Sequence, residues 1–335
     1  MEIGFFFWPY TPALIERLAR AADRWGYDMI GIADTPGNAM DPWVAAAVVA
    51  RETSRARVAL CVTNLSSRHP SVSAAAISSL DLLAPKRTVL GLGAGHSGTR
   101  NLGLPSSGLR ELGDGIRFVK ALTSGERAAL GGAEAHLPWA ETGPRVFLAG
   151  SGPRTLELAG GIADGAFVNF GIARENLAYS EALVAEGARA AGRAAADVEI
   201  WQIASLDCNR DGAAARRRAG AILAFMAGGY ILASDDLDER GVPGPYHETV
   251  RELRRRYSTR PGDADAELVD ELGLFDYLAG RFAIHGTPEQ CLAQLRAARD
   301  AGLERVMFTV SVASDPAGTV ELFGEEVLPA IRADQ

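Results

Sequence analysis

Three short stretches carry most of the side chains able to do chemistry. Cys61–Pro70 reads CVTNLSSRHP, Gly93–Gly98 reads GAGHSG, and Ala149–Thr155 reads AGSGPRT. The first sets a Thr-Asn pair, two serines, Arg68 and His69 at the end of an apolar run, where a loop that only turns the chain would use Gly, Asn-Gly or Pro-Asp. The second bares the backbone at a strand end, so a flat ligand can approach closely. It also matches G-x-G-x-x-G, but Gly103 and Pro105 interrupt the helix that a Rossmann fingerprint requires, and no acidic residue closes a second strand downstream. The third places the Ser151 hydroxyl, Thr155 and free backbone N–H groups at a helix start. That arrangement suits an anion, or it is a plain serine cap. His136, His247 and His285, and the cysteines Cys61, Cys208 and Cys291, lack metal-ligand spacing, so no metal is expected.

These stretches need strands to position them. Apolar runs at Ile3–Trp8, Met29–Ala33, Val58–Val62, Thr88–Gly93, Arg145–Gly150, Gly165–Phe170, Glu199–Ser205 and Arg305–Val310 read as eight strands. Helical patterns lie between them. In Pro12–Trp25, Leu14, Leu18, Ala21, Ala22 and Trp25 recur at helical spacing; in Thr287–Ala301, Thr287 caps, Pro288 opens and Gly302 stops the helix. Eight strand–helix units predict an α/β chain, a (β/α)8 TIM barrel forming one domain over residues 1–335. Residues 211–281 are too long for one crossover and predict a helical insertion between strands seven and eight. It contains RELRRRYSTR (Arg251–Arg260) and a break at Pro261-Gly262. A lid over the barrel mouth and a solvated excursion both remain open, and the basic run reads as a solvated helix face.

Bulk properties narrow the partners. Lys plus Arg is 34 and Asp plus Glu is 42, so the formal charge is 34 − 42 = −8, against nucleic acid as a main partner. Hydrophobic residues make up 47% of the chain, enough for a large core and against disorder. No apolar run reaches the roughly 18 uncharged residues of a membrane span, and the N-terminus lacks a signal-peptide pattern. Three cysteines without pairing logic suit a reducing cytoplasm.

In combination, VTNLSSRHP (Val62–Pro70), AAAISSLDLLAPKRTVLGLGAGHSG (Ala74–Gly98), FLAGSGPRTLELAGGIADGAFVN (Phe147–Asn169) and GTPEQCLAQLRAARDAGLERV (Gly286–Val306) resemble the luciferase-like flavin and deazaflavin oxidoreductases. Within that family they are most similar to the methylenetetrahydromethanopterin reductase branch. The resemblance covers most of the chain outside residues 211–281. It implies a non-prolyl cis peptide at Cys61–Val62 whose bulge presses on the isoalloxazine-type ring of the cofactor. By the same resemblance Val62, Thr63 and Asn64 line that ring, with Asp34, Gly93, Ala94, Gly95 and Asn169 nearby, and Gly150, Ser151 and Gly152 take the phosphate. Arg68, His69 and Pro70 are expected to lock the loop.

The chain departs from the reductase branch at two positions where protons are supplied: Phe6 replaces a glutamate and His96 an aspartate. Phe6 cannot move a proton. His96 can, with an ordinary pKa of about 6.5 suited to general acid or base work. The departures imply a more apolar pocket walled by Phe6, Trp8, Tyr10 and Phe170. The resemblance thus implies a homodimeric oxidoreductase moving a hydride between coenzyme F420 and an electrophilic C=C, C=N or C=O carbon of a small or natural-product substrate. An FMN-dependent monooxygenase and a non-catalytic flavin-binding relative are the alternatives.

Overall fold

Strands and helices alternate along the computed structural model, which describes residues 1–140, 143–257, 263–310 and 313–334. The alternation is that of the (β/α)8 class expected from the sequence. By internal contacts the chain divides into two units. One comprises Ile3–Val168 with Glu181–Trp201; the other comprises Met1–Glu2, Asn169–Ser180 and the chain from Gln202 onward.

The first unit contains β1 (Glu2–Phe7, from Ile3), β2 (Met29–Ile32), β3 (Arg57–Asn64), β4 (Thr88–Gly93), the short antiparallel pair β5 (Ala128–Leu130) and β6 (Ala133–Ala135), β7 (Arg145–Gly150) and β8 (Gly165–Val168). The parallel order is β1-β2-β3-β4-β7-β8. Strands covered on both faces read as near-continuous apolar runs, and all six residues of β4 (TVLGLG) are buried. Local chemistry starts the helices. Thr11 caps α1 (Pro12–Trp25), Asp41 caps α2 (Pro42–Glu52) by accepting from the Trp43 and Val44 amides, and His69 caps α3 (Pro70–Leu83). A four-residue helix α4 (Ser97–Arg100), then α5 (Leu109–Thr123) and α6 (Pro153–Ile162), follow. At the N-terminal strand ends Arg57 donates to both Glu199 carboxylate oxygens at 2.7 and 2.9 Å, and Arg145 stands 3.4 Å from the same carboxylate. Helix α7 (Arg174–Ala190) approaches α6 backbone to backbone: a Cβ on Gly187 would lie 1.9 Å from the Glu157 carbonyl oxygen, and one on Gly160 would lie 2.0 Å from that of Val184.

In the second unit β10 (Ala283–Gly286) and β11 (Arg305–Thr309) both pair in parallel with β9 (Glu199–Cys208). Strand β10 and the β5–β6 pair are additions to the eight strands read from the sequence. The described residues of 211–281 are largely helical. They contain α8 (Gly212–Ala224), a π-helical turn Phe225–Tyr230, α9 (His247–Arg256), α10 (Asp263–Glu271) and α11 (Phe275–Phe282). These pack on a core of their own that includes Leu223, Met226, Leu253, Val269, Leu278 and Phe282. The basic run is engaged locally: Arg256 makes a two-pronged pair with Glu271 at 2.7 Å, Arg255 pairs with Glu252, and Arg254 donates to the Ser234 carbonyl. The end of that run, Ser258–Arg260, and the break at Pro261-Gly262 lie outside the described residues. Helix α12 (Pro288–Asp300) opens with the anticipated Thr287 cap, which Gln290 completes as a capping box. Helices α13 (Pro316–Glu326) and α14 (Leu328–Ala333) end the chain. Among the described residues no helix is long and apolar enough to cross a membrane.

Candidate active site

The polar exit of β3 has a structural answer. The Cys61–Val62 peptide is cis, at the position implied by the resemblance. The pairing of β3 with β4 shifts register between Leu60 and Thr63, so Val62 leaves the ladder as a half-buried bulge. The facing strand makes room for it. A Cβ on Gly91 would stand 2.4 Å from the Leu60 carbonyl oxygen and 2.9 Å from Val62 Cγ1; one on Gly93 would stand 3.1 Å from Val62 Cγ2. Two glycines on β4 are therefore the counterpart of one bulge on β3.

The remaining loop residues hold this arrangement. Asn64 is 3% exposed, and its Oδ1 accepts from the Ser66 and Ser67 amides at 3.0 and 2.8 Å. Arg68 donates to Asp41 at 2.7 Å and lies over the Trp43 ring. His69 Nδ1 faces the Ser71 hydroxyl at 2.8 Å and the Ser71 amide at 3.3 Å. Ser66 bonds the Pro105 carbonyl and Ser107, while Ser106 donates to the Gly95 carbonyl at 2.6 Å. These bonds tie the β3 exit to the loop beyond Gly93, Ala94 and Gly95.

Asp34 and Thr63 form the buried polar contact of the site. Thr63 Oγ1 donates to Asp34 Oδ2 at 2.6 Å, with Asp34 9% and Thr63 1% exposed. Burial raises the Asp34 carboxyl above the ordinary aspartate range; the Thr63 hydroxyl and Arg68 pull it down and Asp41 pushes it up. Burial likewise pushes the Cys61 thiol up. Beside Asp34, Trp8 Nε1 donates to Thr35 Oγ1 at 2.8 Å, and Thr35 lies 3.5 Å from the Ser97 hydroxyl. Thr35 and Ser97 were absent from the sequence-based site. Their signal was their position: each directly follows a chemistry-bearing residue at a strand exit.

His96 stands on the exposed side of the β4 exit, with Nε2 3.1 Å from Arg100 Nη2. Partial desolvation, then the Arg100 charge, lowers its pKa. The Phe6 and Trp8 rings are 6.1 Å apart, Phe6 buried and Trp8 half-buried, while Tyr10 is 49% exposed. Gly150 accommodates Thr155, whose Cγ2 would be 2.4 Å from a Cβ there. Gly152 is the N-cap of α6, makes no side-chain cap bond, and has open space where a Cβ would be. Ser151 is half-buried beside it.

Asn169 and Phe170 belong to the other unit. Asn169 Oδ1 is buried without a hydrogen-bond partner. Phe170 is 1% exposed, stacks on Tyr179 at 4.8 Å, and lies under the Arg281 guanidinium at 5.0 Å. Arg281, missed in the sequence, donates twice to the Phe170 carbonyl and also to the Arg240 and Gly241 carbonyls and the Tyr277 hydroxyl. Within this unit Phe170 is a packed core ring.

A family model described as luciferase-like monooxygenase matches residues 9–305. The chain belongs to the luciferase-like monooxygenase family. This luciferase-like chain is 25% identical to a 5,10-methylenetetrahydromethanopterin reductase of Methanolobus tindarius, over 98% of this chain and 100% of that one. It is 28% identical to an F420-dependent glucose-6-phosphate dehydrogenase of Beutenbergia cavernae, over 93% of this chain and 91% of that one. The solved structure of the coenzyme F420-dependent tetrahydromethanopterin reductase of Methanopyrus kandleri shares the luciferase-like fold with a TM-score of 0.77. It is 23% identical and covers 98% of this chain and 99% of its own.

The residues of the first unit fit a deazaflavin or flavin. A bulged valine opposite side-chain-free Gly91 and Gly93 offers a flat apolar seat, and the uncapped start of α6 with open space at Gly152 offers N–H groups to a phosphate.

Proposed function

We propose that the protein is an F420-dependent oxidoreductase acting on a small or natural-product substrate. When bound, the deazaflavin supplies the hydride chemistry at its C5. Val62, backed by Gly91 and Gly93, seats the ring. Asn64 fixes the loop that holds Val62 and Thr63 in place, and Gly150, Ser151 and Gly152 receive the phosphate. Buried Phe6 and half-buried Trp8, with the more exposed Tyr10, give the substrate side an apolar character, which favours a C=C, C=N or C=O acceptor over a charged one. Two ionisable groups at the strand exits, His96 and Asp34, can hold the accompanying proton.

The observation that carries this reading is the Val62 bulge with its paired glycines, in a family whose similar members bear F420-dependent names. The test is a paired fluorescence titration with coenzyme F420 and with FMN. Tight deazaflavin binding with much weaker FMN binding is expected. The reverse preference favours the second reading, an FMN-dependent monooxygenase, which the family description itself supports.

The same reading includes a homodimer. Val44, Val72, Leu82 and Leu83 are exposed on α2 and α3 at 44–70%, a surface a second copy would cover. A cytoplasmic location accords with three free, buried cysteines.

A further inference from the structure

We propose that Asp34 is the side chain that holds and passes the proton of the redox step. This rests on the F420 reading and goes beyond it by choosing between the two ionisable groups at the strand exits.

Geometry separates them. A guanidinium has donors only, so the 3.1 Å contact between Arg100 Nη2 and His96 Nε2 uses the imidazole lone pair and leaves the ring proton on Nδ1. In that state His96 can donate a hydrogen bond but neither releases a proton readily nor accepts one at Nε2 without losing Arg100. It also stands on the exposed side of the loop.

Asp34 has the opposite surroundings. Its carboxyl is buried at the exit of β2 and bonded through Oδ2 to Thr63, the residue directly after Val62. Its backbone is fixed by close packing, since a Cβ on Gly98 would lie 2.9 Å from the Asp34 carbonyl oxygen. The charged groups that face it are Asp41, from the start of α2, and Arg68, from the loop before α3. These pair with each other at 2.7 Å and largely cancel. Burial therefore dominates and keeps the proton on Asp34 beyond the ordinary aspartate range, while the Thr63 hydroxyl favours the carboxylate and keeps release accessible.

In the reducing direction the hydride electron pair forms the new C–H bond and the π pair of the substrate's double bond moves to its far atom. The Asp34 O–H bond breaks and its proton goes to that atom. Asp34 then recovers a proton from solvent, to which the reduced cofactor would give up its second hydrogen as a proton. In the oxidising direction the Asp34 carboxylate accepts the substrate's proton and returns it to solvent, from which the cofactor would take up the proton that completes its reduction.

The experiment compares full-length wild type with Asp34→Asn, Thr63→Val and His96→Ala. Infrared difference spectra across a pH titration, without cofactor, read the carboxylic-acid band. Fluorescence reads F420 binding, and turnover is measured with any acceptor the wild type reduces. A band that persists above the ordinary aspartate range, is absent in Asp34→Asn, and titrates higher still in Thr63→Val is expected. Asp34→Asn should bind F420 within about threefold of wild type and lose roughly 100-fold or more in turnover, with His96→Ala losing less than about tenfold. An Asp34 that titrates in the ordinary range, an active Asp34→Asn, or a larger loss in His96→Ala overturns the proposal. Failure of wild type to bind F420 sinks the cofactor reading instead, and the infrared titration still reads Asp34 on its own.

Discussion

Gly93 and Val62 fit together: the glycine leaves the space in which the bulged valine stands, with 3.1 Å between Val62 Cγ2 and the place a Cβ would take. Gly91, two residues earlier on β4, also faces Val62, but a Cβ there would in addition stand 2.4 Å from the Leu60 carbonyl oxygen. The two sites should respond differently to one methyl group. Gly93→Ala displaces a side chain and should lower deazaflavin affinity at least about tenfold while costing under about 1 kcal/mol of stability. Gly91→Ala strikes backbone and should cost about 2–3 kcal/mol. Urea denaturation beside cofactor titration separates them.

Asp34 also links stability to pH. Its folded pKa is raised, so between the unfolded and folded values the native state binds more protons. Stability contributed by the protonated carboxyl is complete below the unfolded pKa and is lost as pH rises through the folded one. Asp34→Asn should therefore be more stable than wild type at neutral pH, with the difference closing in acid. Thermal melts at stepped pH read this; equal differences at every pH would refute it.

The Arg57–Glu199 pair has side chains 19% and 15% exposed and lies at the N-terminal strand ends, away from the candidate site. Glu199→Ala removes the carboxylate that Arg57 and Arg145 share and should cost about 1–3 kcal/mol. F420 affinity should be unchanged.

Arg281 should be intolerant even of lysine. Its planar fork serves three carbonyls and a phenol, and lysine lacks that geometry. Arg281→Lys is expected to lose about 3 kcal/mol or more through unsatisfied buried acceptors, measured as a shift in the denaturation midpoint.

Cys61, Cys208 and Cys291 are each no more than 3% exposed. Native protein should leave all three unreacted with a disulfide reagent, and unfolded protein should react fully. A fast-reacting thiol in the native state would contradict their burial.

Strands such as TVLGLG are legible because burial on both faces leaves a continuous apolar run, and Thr287 because a cap acts on the helix directly after it. The cis peptide at Cys61–Val62 was accessible only through family resemblance. Strand β10, AIHG, was missed because it has four residues and follows α11 without a break. The β5–β6 pair was missed because alanine carries little strand signal. Arg281 and the Asp34–Thr63 contact were invisible because their partners lie up to 111 and 29 residues away, where no local pattern records them.

The helical stretch from α8 to α11 carries an interior of its own. Residues that share an interior open together, so its slowest-exchanging amides should report one common opening free energy. Selection can revise the outward positions of such a module one at a time, because none of them belongs to the interior that keeps it folded. In evolutionary terms, the exposed positions of α8 to α11 can vary at little cost to the fold, while buried Arg281 at the end of α11 cannot.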